Sequence, residues 1–171
     1  MLFSEFYPNY FTSKILEWKH LLKPDQYKDI VISSLEFLVV ERRIKVYGFD
    51  IMSNHIHVIW QVQPGFKPKD VQLSFMKYTA QMTIKDLRNN HKEVLEIFRV
   101  KASDRKYQVW ERKPLSISLW TQSVFKQKLD YIHSNPVVAG LCSYPEDYKY
   151  SSASFYIKAS SDWSFLTHYN A

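Results

Sequence analysis

Two histidines separated by one apolar residue, His55-Ile56-His57, have the residue types and spacing of a small metal site. Side chains alternate faces along a β-strand, so both imidazoles of an extended segment lie on one face. Two imidazoles that converge in this way can hold a divalent cation. A half-exposed polar strand face without any ligand is the alternative that the residues leave open, since short motifs often occur without their function.

A second pair of reactive side chains lies far downstream, on a segment with helical periodicity. The apolar stripe of this segment consists of Phe125, Leu129 and Ile132. Gln127, Tyr131 and Asn135 follow one another at intervals of four on another face, so a phenol and an amide project together. The amide oxygen of Asn135 could complete a metal shell begun by the histidines, and the hydroxyl of Tyr131 could attack a phosphate held there. A tyrosine that only packs is the alternative.

The elements that must position these residues alternate between strands and helices. Strands are predicted at 10–16, at 45–52, from 55 onward, at 107–110 and at 116–120. Helices are predicted at 24–42 with Asp25 as the cap, at 68–90 with Pro68 in the first turn, and from Thr121 or Ser123 to Asn135, because Pro136 disfavours helical geometry before it. The tail from 137 is predicted to be irregular, and residues 1–171 are predicted to form a single domain.

The apolar pattern indicates which faces are buried. On the strand of the two histidines, the predicted core residues are Ile56, Val58, Trp60 and Val62. The preceding strand is predicted to place Tyr47, Phe49 and Ile51 on one face, and the second helix to bury Val71, Phe75, Thr79 and Met82. The element order matches the split βαβ plan, which predicts an α+β, ferredoxin-like antiparallel sheet with helices on one face and an additional C-terminal helix that carries the tyrosine.

These motifs together resemble the HUH endonucleases, which have two histidines around a hydrophobic residue and one or two nucleophilic tyrosines. The pattern is closest to the REP-associated branch of the single-tyrosine transposases of small insertion sequences. The resemblance spans about residues 45 to 155, and it is carried by residues 51–59, 129–141, 145–148 and 151–153. Ser53 stands where the family usually has proline, and Ser134 where it usually has asparagine.

The resemblance implies metal-dependent cleavage and rejoining of single-stranded DNA through a 5′-phosphotyrosine intermediate. It implies Tyr131 as nucleophile, His55 and His57 as ligands of Mg²⁺ or Mn²⁺, and Asn135 as third ligand, at the offset where related transposases use glutamine. The implied partner is single-stranded or hairpin DNA. Relatives in small insertion sequences act as dimers and the REP-associated branch as monomers, so either state is open. The implied location is the cytoplasm, with the nucleoid.

The composition suits a nucleic-acid partner. The formal net charge is +6 and aromatic residues make up 16% of the chain, so cations can hold phosphates while rings stack on bases. The candidate DNA-binding residues are Lys77, Lys85 and Arg88, on a polar stripe of the second helix, and Trp110 and Arg112. A solvated helix face is the alternative for the stripe. His133 is predicted to be structural or to contact DNA.

Several classes of function are disfavoured. Cys142 is the only cysteine, which rules out an internal disulfide or cysteine-based zinc site and fits a reducing cytoplasm. We find no phosphate-binding glycine loop, membrane span or secretory signal in the sequence. Two other functions remain open: a non-catalytic nucleic-acid-binding module, although the aromatic RNP signature is not evident, and a small metal hydrolase in which Tyr131 orients the substrate.

Overall fold

A four-stranded antiparallel sheet forms the centre of the computed structural model, which describes residues 7–160 and 162–171. Its strands are β1 (Asn9–Lys14), β2 (Ile44–Ile51), β3 (His55–Val62) and β4 (Leu115–Ser118). They lie in the order β2-β3-β1-β4, with every neighbouring pair antiparallel. The predicted ferredoxin-like α+β class is therefore confirmed. The stretch 1–6, where the sequence shows no secretory signal, lies outside the described residues.

Helices pack on both faces of this sheet. They are α1 (Asp25–Val40), α2 (Pro68–Asn90), α3 (Lys92–Ile97), α4 (Gln122–Val138) and α5 (Ala153–Ile157). On one face α1 and α2 bury a core that includes Phe11, Val58 and Trp60. On the other face α4 packs Phe125, Leu129 and Ile132 against Tyr10 and Ile59. Because side chains alternate along β1 and β3, each strand supplies residues to both cores.

A β-bulge in β2 decides which of its side chains face α4. Val46 pairs with Trp60 and Gly48 with Ile59, so the residue between them is extra. The prediction that Tyr47 shares a face with Phe49 and Ile51 is therefore wrong. Tyr47 instead contacts the ring of Phe125 on the α4 side. The same shift places Asp50 on the α4 side, opposite His57.

The α4 helix approaches β2 so closely that one position has no room for a side chain. A Cβ added at Gly48 would lie 2.5 Å from Leu129 Cδ1 and 3.3 Å from Ile132 Cδ1. A larger residue at this position must displace at least the side chain of Leu129, so the close approach of the two elements favours glycine here.

The ends of the helices differ from the prediction in three places. Asp25 is the first helical residue rather than the cap, and it lies 3.1 Å from Lys28 Nζ. The first helix ends at Val40, before Arg42 with its positive φ of 55°. Helix α4 continues beyond Asn135 through Pro136, because the Ala139 N–H still bonds to the Asn135 carbonyl. Its start is as predicted, with the Thr121 side chain accepting from the Val124 N–H.

The predicted strand at 107–110 is wrong. Its backbone bonds are divided between partners: the Gln108 N–H donates to the Phe98 carbonyl, and the Val109 carbonyl accepts from Leu16. Strand β4 forms the edge of the sheet next to β1; it begins after Pro114 and stops two residues earlier than predicted.

The prediction that Met82 lies in the core is wrong. The buried stripe of α2 continues at intervals of four through Phe75, Thr79, Thr83 and Leu87.

The chain after α4 packs against the edge of the sheet at β2. Tyr150, Ala153 and Phe165 are buried there, and Ser151 forms a bridge with Asp50. Within the described parts of the chain, no helix is both long and apolar enough to cross a membrane.

We expect Gly48→Ala to lower the free energy of unfolding by about 1–3 kcal/mol, because the new methyl group overpacks the contact with Leu129. Denaturant unfolding of the two variants Gly48→Ala and Leu129→Ala and of their double variant checks this. In the Leu129→Ala background the penalty at position 48 should largely disappear. An equal penalty in both backgrounds would show that the close approach is not the cause.

Candidate functional site

The two histidines lie side by side on the face of the sheet that α4 covers. Their ring centroids are 4.9 Å apart, and the rings are nearly perpendicular. His57 is buried and His55 is partly buried. The alternation of β3 thus brings both imidazoles together, as the sequence predicts, while Ile56 and Val58 enter the opposite core.

Polar neighbours hold each ring through its Nδ1 atom. His57 Nδ1 lies 2.8 Å from both Tyr10 Oη and Thr12 Oγ1, on the adjacent strand β1. His55 Nδ1 lies 2.7 Å from Asn54 Oδ1, an acceptor, so this nitrogen carries the proton and Nε2 keeps its lone pair. His57 Nε2 is buried and has no hydrogen-bond partner among the described residues. Histidines that bind metal ions usually have one ring nitrogen fixed by a hydrogen bond, which orients the other ring nitrogen toward the metal.

Burial keeps both imidazoles neutral. It lowers the pKa of His57 to about 3, with further contributions from His55 and Lys128. Burial also lowers the pKa of His55. A neutral imidazole at pH 7 is free to donate a lone pair to a cation.

Helix α4 brings Tyr131 to the histidines from the same chain. The ring centroids of Tyr131 and His57 are 5.7 Å apart, and the Tyr131 side chain is 51% exposed. The Lys128 ammonium lies 4.8 Å from the Tyr10 ring centroid and 5.9 Å from that of Tyr131. The phenol is therefore open to solvent on one side and borders a buried polar centre on the other.

Asn135, one turn after Tyr131, links α4 to a buried carboxylate. Its Nδ2 donates to Asp50 Oδ2 at 2.9 Å and lies 3.2 Å from His55 Nε2. Asp50 is fully buried, and its Oδ1 has no hydrogen-bond partner among the described residues. Burial raises the pKa of Asp50 well above its ordinary value, against the lowering effect of the bond from Asn135.

The arrangement fits a divalent cation by the chemistry of its donors. Orphaned buried atoms on His57 and Asp50 are costly without a partner. An imidazole pair with an amide oxygen nearby is an N/O donor set that suits several divalent metals. In the described ranges, no cluster of three or more His, Cys, Asp or Glu side chains is arranged to hold a metal ion. The side chain of Asn135 lies beside His55 and carries an amide oxygen, so it is a candidate for the third ligand.

The predicted DNA-binding residues lie away from this centre. Lys77, Lys85 and Arg88 are exposed on α2, on the opposite face of the sheet. Lys77 and Arg112 line a groove of about 550 Å³ between α2 and the segment 104–114. Arg112 also donates to Asp104 Oδ1 at 2.9 Å.

Trp110 does not offer a stacking surface. Its side chain is 5% exposed, and the indole N–H donates to Thr79 Oγ1 at 3.0 Å. The prediction that a base stacks on Trp110 is therefore wrong, because the ring belongs to the core beneath the groove.

The structure adds Tyr10, Thr12, Asp50 and Lys128, which the sequence analysis did not identify, to this centre. An aspartate inside the apolar run of β2 is a signal that could have been used for Asp50. Tyr10 and Thr12 lie on one face by alternation, but their pairing with His57 depends on a long-range register. Lys128 lies three residues before Tyr131, on the same side of α4.

Of the two roles predicted for His133, structural or DNA-contacting, the contacts of its side chain favour the structural one. Its Nε2 lies 2.8 Å from Ser152 Oγ, and the side chain is buried between α4 and the following segment. Burial lowers the pKa of His133 to about 4. The residue thus fixes the outer side of α4 rather than facing a ligand.

The fold is shared with a solved structure. A REP-associated tyrosine transposase bound to a REP hairpin matches with a TM-score of 0.61 at 17% identity, over 86% of this chain and 76% of its own. A Deinococcus radiodurans R1 protein provisionally assigned as a transposase has a TM-score of 0.49 at 12% identity, over 75% of this chain and 91% of its own. No family model and no curated protein matches the sequence. The first likeness establishes a fold like that of REP-associated tyrosine transposases.

We expect stability to fall as the pH drops from 7 to 5, and His133→Gln to reduce that loss. Because the pKa of His133 is lowered in the folded protein, the unfolded chain takes up a proton below about pH 6.5 and the native state does not. One such group costs about 2 kcal/mol of stability at pH 5. Denaturant unfolding at both pH values should therefore show a loss smaller by about that amount in the variant. Exposed His91→Gln serves as the control, and equal losses in wild type and His133→Gln would contradict the assignment.

Proposed function

We propose that this protein cleaves and rejoins single-stranded DNA through a covalent bond between Tyr131 and a DNA 5′-phosphate. The observation that carries this proposal is the position of the Tyr131 ring, 5.7 Å from the ring of His57 in the same chain. The fold supports it, since a protein with the same fold is a tyrosine transposase bound to a REP hairpin. The function would be DNA transposition or the processing of REP-like elements.

A divalent cation, Mg²⁺ or Mn²⁺, would be held by His55, His57 and the amide oxygen of Asn135. When bound, it would polarise the scissile phosphate and offset the charge that develops there. The residues of this chain prepare the site: Tyr10 and Thr12 fix the ring of His57, and Asn54 fixes that of His55. Because the nitrogen of Asn135 now faces His55, ligation through its oxygen requires the amide to turn, which breaks the bond to Asp50.

Tyr131 would be the nucleophile. A phenol must lose its proton to attack, and the Lys128 ammonium, 5.9 Å from the ring centroid, would serve as the counter-charge. The phenolate oxygen forms a bond to phosphorus while the bond from phosphorus to the 3′-oxygen breaks, and that oxygen takes up a proton. The reverse attack by a 3′-hydroxyl releases the tyrosine and rejoins the strand. No external energy source is needed, since one phosphodiester replaces another.

We expect Tyr131→Phe to abolish the covalent adduct between protein and DNA. The test incubates the protein and a 5′-overhang hairpin oligonucleotide with Mn²⁺ and separates the products on a denaturing gel. Wild type should form an adduct that chelation prevents, and Tyr144→Phe, which alters another well-exposed tyrosine, should behave like wild type. Cleavage without an adduct would favour a metal hydrolase. Binding without cleavage would favour a non-catalytic nucleic-acid-binding module.

We expect Asp50→Asn to weaken cation binding, because a buried carboxylate attracts a cation at short range much more than an amide does. Thermal unfolding with and without Mn²⁺ measures this, since a ligand of the native state raises Tm. The rise in Tm should fall by at least half in Asp50→Asn. Exposed Asp130→Asn changes the net charge equally and should keep the full rise. A full rise in Asp50→Asn would exclude this role for the buried carboxylate.

A further inference from the structure

Trp18 is held at the surface beside the histidines by a strained backbone. Glu17 and Trp18 have consecutive positive φ values of 53° and 57°, a region that non-glycine residues rarely adopt. Such strain costs about 1–3 kcal/mol per residue and persists only where the surroundings impose it. The Trp18 side chain is nevertheless 52% exposed, so the strained turn leaves about half of the indole in contact with solvent.

Several hydrogen bonds impose this conformation. The Trp18 N–H donates to the Ile15 carbonyl at 2.9 Å, and the Glu17 N–H donates to Glu111 Oε1 at 2.7 Å. The Asn54 amide contacts the Trp18 carbonyl through Nδ2, at 3.5 Å, and His55 Nδ1 through Oδ1. A single side chain thus connects the strained turn to the first histidine of the candidate site.

The indole lies at one end of a row of rings. The ring centroids of Trp18 and His55 are 5.7 Å apart, those of His55 and His57 are 4.9 Å apart, and those of His57 and Tyr131 are 5.7 Å apart. The two end members are half exposed. A strand whose phosphate reaches Tyr131 and that continues past the two histidines along these ring contacts would meet the indole.

The chemistry around Trp18 favours a nucleobase as the occupant. The indole is half exposed, and the Lys14 ammonium lies over its ring, 4.7 Å from the centroid. A base would stack on the part of the ring that Lys14 does not cover, and Lys14 would supply a cation for the adjacent phosphate. Bases inside a duplex are already stacked on both sides, so only an unpaired or extruded base can reach the ring.

We propose that Trp18 is the stacking platform for an unpaired nucleobase of the strand that approaches Tyr131. This inference rests on the proposed function, because it assigns the place of the DNA strand at the same site. It accounts for an aromatic side chain that the fold exposes at an energetic cost.

The test measures binding of fluorescently labelled single-stranded oligonucleotides by anisotropy, in the Tyr131→Phe background so that no cleavage occurs. Trp18→Ala should weaken binding by about 5- to 150-fold, the range that corresponds to the loss of one stacked base. Trp18→Phe should retain most of the affinity. The matched control is Trp120→Ala, which removes a comparably exposed indole at the opposite end of β1, against Tyr7, and should change affinity less than twofold.

A series of oligonucleotides with one abasic position each identifies the base. At one position the abasic site should weaken binding to the protein that retains Trp18. With that abasic oligonucleotide, the Trp18→Ala variant should bind as tightly as the protein with Trp18. An equal effect of Trp18→Ala on every oligonucleotide, or none on any, would overturn the proposal, and unfolding curves of Trp18→Ala exclude a folding defect as the cause. Absence of a wild-type adduct would overturn the catalytic proposal instead, and this binding series would still decide the role of Trp18.

Discussion

The close approach of α4 to β2 is the contact on which the site depends. Gly48 leaves room for Leu129 and Ile132, and this places the next turns of α4 directly over the histidine strand. The bond from the partly buried Asn135 to the buried Asp50 then ties α4 to β2 at a second point. Tyr131 lies one turn away from that bond, so its distance from His57 follows from how α4 sits on the sheet. A shift of α4 would move the phenol and the amide together.

Features governed by local periodicity could be predicted from the sequence. Alternation along β3 places His55 and His57 on one face, and the four-residue spacing in α4 places Tyr131 and Asn135 on one side. Features that depend on pairing between distant segments could not. The bulge at Tyr47 reverses the faces of the following residues in β2, and the residue types in this strand do not predict a bulge.

Trp110 shows the limit of arguing from composition. A tryptophan among basic residues suits both a DNA-stacking surface and a core, and only the fold decides between them. Here the indole N–H meets Thr79 of α2, and the neighbouring backbone bonds to β1 through Lys14 and Glu111. Trp18, by contrast, is half exposed, because the turn that carries it holds the indole at the surface.

Two of the three buried side-chain atoms that lack a hydrogen-bond partner among the described residues adjoin one pair of imidazoles. The face of the sheet beneath α1 and α2 is largely apolar, and the third such atom, Ser13 Oγ, lies there beside Ile56. Around the histidines lie a buried carboxylate oxygen and a buried imidazole nitrogen, neither of which has a hydrogen-bond partner among the described residues. The two positive-φ residues Glu17 and Trp18 and the half-exposed rings of Trp18 and Tyr131 also lie there. Each of these lowers stability, and they adjoin one another through Asn54, Asn135 and the histidines themselves. The proposed cation would give the unpaired nitrogen of His57 a partner and place a positive charge near the Asp50 carboxylate, and the proposed DNA strand would cover the exposed rings; costs of this kind are expected at a functional site.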